Sequence, residues 1–244
     1  MKDTVLITGA SRGIGLATAR LFAAKGHPVV LNYNKSRESA FAAARAINAA
    51  SGIAMAIQAD VSDRAQVEAM FAEIESQLGG VDILINNAAV ARQCLFTDIS
   101  PEEWRNTFAV NVDGMFHCSQ LALPHMLRQH KGCIVNLSSM WGQVGASCEV
   151  LYSATKAAVI GLTKALAQEA GLGGVRVNCV APGVIDTEMN AHLSAEDMDT
   201  LKNDTPLMRL GTPEDVANAI YFLTSDNASF ITGQVLSPNG GYVV

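Results

Sequence analysis

Tyr152 and Lys156 stand four positions apart in "YSATK". On a helix that spacing puts two side chains on nearly the same side, with Cβ atoms about 6 Å apart. A phenol and an ammonium sharing so small a volume are either an ordinary helical pair or a proton donor with a cation that tunes it. Ser138 and Ser139 close the apolar run "GCIVNLSS" just upstream, and Asn111 is a further polar candidate, expected at the head of the helical stretch after the fourth apolar run. The second group with chemical meaning is "TGASRGIG", Thr8 to Gly15. Its glycines suit a tight turn, close backbone approach to a pyrophosphate, and close helix–strand contact. A helix N-terminus then holds the anion. The spacing is GxxxGxG rather than GxGxxG, so context must carry the reading.

Those residues need elements to hold them. Seven apolar runs ("TVLIT", "PVVLNY", "GIAMAIQAD", "VDILINNA", "GCIVNLSS", "VRVNCVAPG" and "GQVLSP") alternate with helical patterns along the chain. Continuous Val/Ile/Leu runs mark strands buried on both faces, the pattern of a parallel sheet between helices. Repeated βα units predict a single α/β domain over 1–244, a Rossmann-type doubly wound parallel sheet of about seven strands with helices on both faces. In such a sheet ligands bind beyond the carboxyl ends of the strands, where strand order reverses.

Composition narrows the function. The 244 residues are 49% hydrophobic and 16% charged, with a formal net charge of −6 and no basic block, which argues against a nucleic-acid partner. No uninterrupted apolar run nears the roughly 18 residues that span a bilayer, and the N-terminal apolar run is too short for a signal peptide. The expectation is no membrane partner. The five cysteines, Cys94, Cys118, Cys133, Cys148 and Cys179, show no CxxC spacing and no histidine at a metal-ligand offset. They read as buried free thiols in a reducing, cytoplasmic setting with no metal.

The strand ends suggest the cofactor. Gly9, Ser11, Arg12, Gly13, Ile14 and Gly15 would form its cradle. NAD sites place a carboxylate roughly 20 residues after the glycine turn, yet the second strand ends Val30-Leu31-Asn32-Tyr33-Asn34 without one. Arg12, Lys35 and Arg37 would welcome a 2′-phosphate, so NADP(H) is favoured, with Asn32, Asn34 and Lys35 as contacts. The alternative is that Lys35 and Arg37 only solvate a helix start. Asp60, with Val61 in "ADVS", either accepts from an adenine amino group or is a loop acid. Asn87, Ala88 and Ala89 in "NNAA" end the fourth strand with small residues that let backbone approach a ribose and nicotinamide, unless they are simply a turn.

In their order along the chain, "TGASRGIG", "DV", "NNAA", Asn111, "SS", "YSATK" and "APG" make the sequence resemble the short-chain dehydrogenase/reductases from residue 4 to the C-terminus. The resemblance implies a catalytic tetrad of Asn111, Ser139, Tyr152 and Lys156, with Ser138 the less favoured serine. Ser139 would donate to the carbonyl oxygen and Tyr152 would supply the proton. Lys156 would lower the phenol's pKa and bind the nicotinamide ribose, and Asn111 would hold a relay water. Pro182, Gly183, Val184, Ile185 and Thr187 would cover the nicotinamide, although Pro182 and Gly183 also read as a turn. "NNAA" departs from the family's "NNAG", adding a methyl group at Ala89.

The C-terminal third, "PLMRLGTPEDVANAIYFLTSDNASFITGQVLSPNGG", is similar to bacterial 3-oxoacyl-[acyl-carrier-protein] reductases. That implies NADPH-dependent reduction of a carrier-linked β-ketoacyl thioester by a homotetramer built through the long helices and the last strand. Acyl carrier protein would dock on a basic rim that includes Arg128, His130 and Lys131, while "GLGG" offers no arginine. Ser139, Trp141, Gln143, Val144, Tyr152 and Met189 are the expected substrate contacts, and His192, Leu193 and Met198 belong to the same lid-like segment. Trp141 is either a packing residue or an aromatic wall. Free ketones, polyols, steroids and quinones remain open as substrates. Two non-enzyme alternatives are a silent cofactor-binding regulator and an interaction protein on a borrowed fold.

Overall fold

A computed structural model describes residues 2–188 and 194–244. The strands are β1 (Val5–Ile7), β2 (Val29–Tyr33), β3 (Ala54–Gln58), β4 (Ile83–Asn86), β5 (Gly132–Leu137), β6 (Val175–Val180) and β7 (Val235–Leu236). They form one sheet in the order β3-β2-β1-β4-β5-β6-β7, with every pairing parallel. Order reverses between β1 and β4, so a crevice opens beyond their carboxyl ends.

Among the described residues the helices are α1 (Gly13–Ala24), α2 (Arg37–Ala49), α3 (Arg64–Leu78), α4 (Pro101–Phe108), α5 (Gly114–Gln129), α6 (Met140–Val144), α7 (Val150–Gly171), α8 (Ala195–Asn203) and α9 (Pro213–Thr224). Alternate strand residues feed two cores. Val5, Ile7, Val29 and Leu31 meet Phe22 of α1 and Val216 and Ile220 of α9. Leu6, Val30, Leu84 and Ile134 meet α3 and α5 through Val67, Met70 and Met126.

Local chemistry sets several boundaries. Thr212 and Asp215 form a capping box, and Pro213 opens α9, as the sequence suggests. Asp63 caps α3, and Gly79 ends it in a left-handed turn at φ 83°. The 22-residue α7 has mean hydropathy 1.2 over its best 18-residue window, enough by length and composition to cross a membrane. Lys156 and Lys164 interrupt its apolar run, and it buries Val159 and Ala167 in the protein. It is a core helix.

Two local features differ from expectation. Asn111 is not at the head of a helix: α4 and α5 join through a π-turn, Ala109–Asp113, with Asn111 inside it. Such turns insert one residue into a helix, and this one rotates Asn111 into the core at 0% exposure. The short helix α6, absent from the sequence reading, follows Ser139 because the serine hydroxyl accepts from Trp141 N.

Candidate active site

The glycine turn is clamped from two sides. Thr8 Oγ1 accepts from Asn87 N and Ala88 N, both at 3.0 Å. Asn87 Nδ2 donates to Thr8 O at 2.8 Å and Gly9 O at 3.1 Å. From β2, buried Asn32 accepts from Gly9 N at 3.3 Å and donates to Ala59 O at 3.0 Å. Asn32 and Asn87, expected as cofactor contacts, thus commit these side-chain groups to fixing the loop. Gly15 is required by the same packing, because a Cβ there would lie 2.6 Å from Gly9 O.

The loop leaves the N-terminus of α1 open. Arg12 is its N-cap with no side-chain capping bond, and the first turn holds no acid. Unpaired amides at a helix start form an anion seat, so the residues fit a dinucleotide pyrophosphate. Ser11 is half-buried in this turn, and Gly13, also half-buried, lies beside Thr187.

The basic residues do not converge as a set. Arg12 pairs with Glu188 at 2.9 Å across the cleft, Lys35 is exposed, and Arg37 lies over the Phe41 ring at 5.3 Å. Asn34 donates to Asp60 at 2.8 Å. Burial pushes the Asp60 carboxyl up, but hydrogen bonds from Ser62 and Asn34 outweigh it and hold the group below the usual range. Val61 is buried, and its carbonyl meets His117 Nδ1 at 3.0 Å.

The two serines separate cleanly. Ser138 Oγ donates to Lys156 O at 2.7 Å, which ties β5 to α7. Ser139 lines the same cavity as Tyr152 and pulls the phenol's pKa down. Ser138 is a structural tie, and Ser139 is the serine beside the phenol.

Lys156 is 1% exposed, and its Nζ donates to Leu137 O at 2.7 Å while lying 5.5 Å from the centroid of the Tyr152 ring. Burial holds the ammonium down to about 8, partly offset by nearby Cys179. The expectation that Lys156 lowers the phenol's pKa does not describe this arrangement. Desolvation raises the Tyr152 pKa, the Glu149 charge raises it further, and only the Ser139 hydrogen bond lowers it. The ammonium is directed to a backbone carbonyl, and removing the phenolate from water dominates.

Asn111 accepts from Val90 N at 2.8 Å and donates to Val90 O and Thr155 Oγ1 at 2.9 and 3.1 Å. Both amide hydrogens are used, so the side chain joins the loop after β4 to α7 and has none left to donate to a water.

A cavity of about 590 Å³ unites these groups. Ile14, Asn87 and Ala89 line it beneath the glycine turn, Ser139, Tyr152 and Lys156 on the catalytic side, and Pro182, Gly183, Val184, Ile185 and Thr187 across from them. Trp141 lines the cavity and packs edge-on against Tyr242 at 5.8 Å. Gln143 and Val144 are the other substrate contacts expected on this segment. The turn of α6 carries them off the cavity wall, where Gln143 accepts from Ser237 and Val144 is exposed. Met198 is half-buried on α8. Met189, His192 and Leu193 lie outside the described residues.

The cavity also holds groups that sequence reasoning missed. Glu149 and Arg92 line it. Glu149 sits at the N-cap of α7, three residues before Tyr152, a helical spacing that could have flagged it. Arg92 offers no comparable signal, because the fold of the loop after β4 brings it there.

The three residues expected on a basic rim lie close together. Arg128 is in the last turn of α5 and His130 is its left-handed C-cap. Lys131, just before β5, pairs with Asp3 at 2.7 Å. All three lie at the amino end of β5, opposite the cleft, because α5 runs antiparallel to the strand it feeds.

Comparison with known proteins agrees with this architecture. The family model described as enoyl-(acyl carrier protein) reductase matches residues 9–243. A 3-oxoacyl-[acyl-carrier-protein] reductase of Staphylococcus aureus is 45% identical over 241 residues, covering 99% of this chain and 98% of the relative. Proteins of that description from Synechocystis and Thermotoga maritima are 41% and 38% identical, over 99% and 98% of this chain and 97% of each relative.

Proposed function

The chain belongs to the short-chain dehydrogenase/reductase family, and from that premise we propose that it reduces a 3-oxoacyl thioester on acyl carrier protein to the 3-hydroxyacyl form, using NADPH, in fatty-acid or related acyl-chain synthesis. One observation supports this most: Ser139, Tyr152 and Lys156 line one cavity that reaches Ile14 at the open start of α1.

Bound NADPH supplies a hydride to the substrate carbonyl carbon. The N-terminus of α1 holds the pyrophosphate, and the Asn32–Thr8–Asn87 clamp keeps its amides in place. Ser139 donates a hydrogen bond to the substrate oxygen as negative charge develops there. Tyr152 transfers its proton to that oxygen. Its raised pKa keeps the phenol protonated in the free protein, which suits an acid in the reductive direction. Lys156 would hold the ribose hydroxyls, and charge developing on the phenolate would favour its ammonium form. Any water relay through Asn111 accepts from the water rather than donating to it, because its amide hydrogens are occupied.

NADPH is preferred over NADH because no carboxylate closes β2. Arg12 exchanges Glu188 for the 2′-phosphate, with Lys35 nearby in sequence. The working form is a homotetramer in the cytoplasm. Exposed Phe116 on α5, Phe230 before β7 and Leu236 on β7 supply apolar surface along the long helices and the last strand.

A substrate panel tests the reading. Acetoacetyl and longer 3-oxoacyl chains on carrier protein are compared with free ketones, polyols, steroids and quinones, each with NADPH and NADH. The expected outcome is the highest kcat/KM for carrier-linked 3-oxoacyl chains with NADPH. Preference for a free ketone or polyol would replace the substrate assignment, and no turnover at all would favour a silent binding protein.

A further inference from the structure

All five cysteines are free, but they are not alike. Cys118, Cys133 and Cys179 are buried, and burial pushes their thiols up to about 12, 11 and 11. Such thiols are inert. Cys94 and Cys148 depart from the expected burial: both are partly exposed, and distant parts of the chain bring them together. Cys94 N–H donates to Cys148 O at 2.9 Å. Bond lengths then keep the two Cα atoms within about 7 Å, the outer limit a disulfide spans.

Their position gives the pair a consequence. Cys94 follows Arg92 and Gln93, and Cys148 lies between Ser147 and Glu149; all four of these neighbours line the cavity. Cys148 occupies the left-handed region at φ 61°, unusual for a side-chain-bearing residue and a local reservoir of strain.

We propose that Cys94 and Cys148 form a reversible disulfide at the edge of the cavity, made by exchange with a low-molecular-weight disulfide. One cysteine thiolate attacks the small disulfide, forming a mixed disulfide and releasing one small thiolate. The second cysteine thiolate attacks the protein sulfur of that mixed disulfide and releases the other. Two protein thiols are oxidised, one small disulfide is reduced to two thiols, and the two cysteine protons pass to them. The bond ties the loop after β4 to the loop before α7 and narrows entry for an acyl chain. The α1 end of the cleft is left unchanged.

The test treats the full chain with glutathione disulfide, then maps peptides without reduction and measures kcat/KM for an acetoacetyl thioester. Expected are a linked Cys94–Cys148 peptide, loss of two titratable thiols, a fall in kcat/KM of at least about tenfold at unchanged NADPH affinity, and recovery with dithiothreitol. Cys94→Ser and Cys148→Ser should each keep parental activity and resist the oxidant. Glutathione on either cysteine without a linked peptide overturns the bridge. A linked peptide with unchanged kcat/KM overturns its control of entry, as does equal inactivation of the serine variants. Peptide mass needs no substrate, so the bond and the proposed activity are judged separately.

Discussion

Around the glycine turn, Thr8, Asn32 and Asn87 each hydrogen-bond backbone across strand ends, and Gly15 leaves no room for a methyl group. Across the cleft, the loops at 88–95 and 145–149 are irregular, meet at the hydrogen bond between Cys94 and Cys148, and contain a residue at positive φ. The cofactor end is over-determined by polar clamps, while the substrate end is assembled from loops that can differ without disturbing the sheet. A fixed seat for a constant ligand and an adjustable mouth for a variable one can thus share one fold.

Four substitutions break or sharpen that contrast. Tyr152→Phe removes the proton donor from the catalytic wall, and kcat should fall at least about 10²-fold. NADPH affinity should stay within about twofold if the seat is independent of the phenol; single-turnover kinetics and fluorescence titration read the two effects. Unchanged turnover would remove Tyr152 from the chemistry.

Gly15→Ala attacks the rigid end. Its Cβ would lie 2.6 Å from Gly9 O and 2.7 Å from Asn87 Nδ2, so overpacking should cost about 1–3 kcal/mol. Displaced amides should weaken NADPH binding about 10- to 100-fold. Parental affinity with a parental melting temperature would show that the clamp yields.

Lys156→Met probes the charge buried between the two regions. Burial puts the folded-state value at about 8, below the ordinary lysine value of 10.5. Between those values the unfolded chain binds more protons than the folded one, so Lys156 makes stability rise with pH across that window. Below it both states are protonated and the gain is absent. Urea unfolding of the NADPH-free protein at pH 8 and 10 should show a rise that Lys156→Met reduces. An equal rise in both proteins would assign it elsewhere.

Glu149→Gln is the mildest change. The Glu149 charge helps keep the Tyr152 pKa high, so neutralising it should move the rising limb of alcohol oxidation to lower pH. Reduction near neutrality should change little. A limb that stays put would show that desolvation alone sets the phenol.

The strand runs, their order of appearance and the glycine turn were legible because each is local chemistry with a recognisable pattern. Ser139, Tyr152 and Lys156 were legible because one strand end and one helix carry all three. Asn111 was found as a residue but misplaced, since a π-turn leaves no period to read. Gln143 and Val144 lie off the cavity wall because the single turn of α6 directs them away from it. Arg128, His130 and Lys131 are close in sequence to β5, but sequence proximity does not tell which end of a sheet a residue occupies.

The sequence by itself determined the parallel sheet, its helices and the positions of the serine, tyrosine and lysine, because hydrophobic period and helical spacing act over a few residues. Only tertiary structure decided which serine meets the phenol, that Asn32 and Asn87 brace the turn, that burial rather than the ammonium sets the free phenol's pKa, and that Cys94 lies beside Cys148. Each of these depends on long-range closure and on how much water remains around a group, and neither is written in any short stretch of chain.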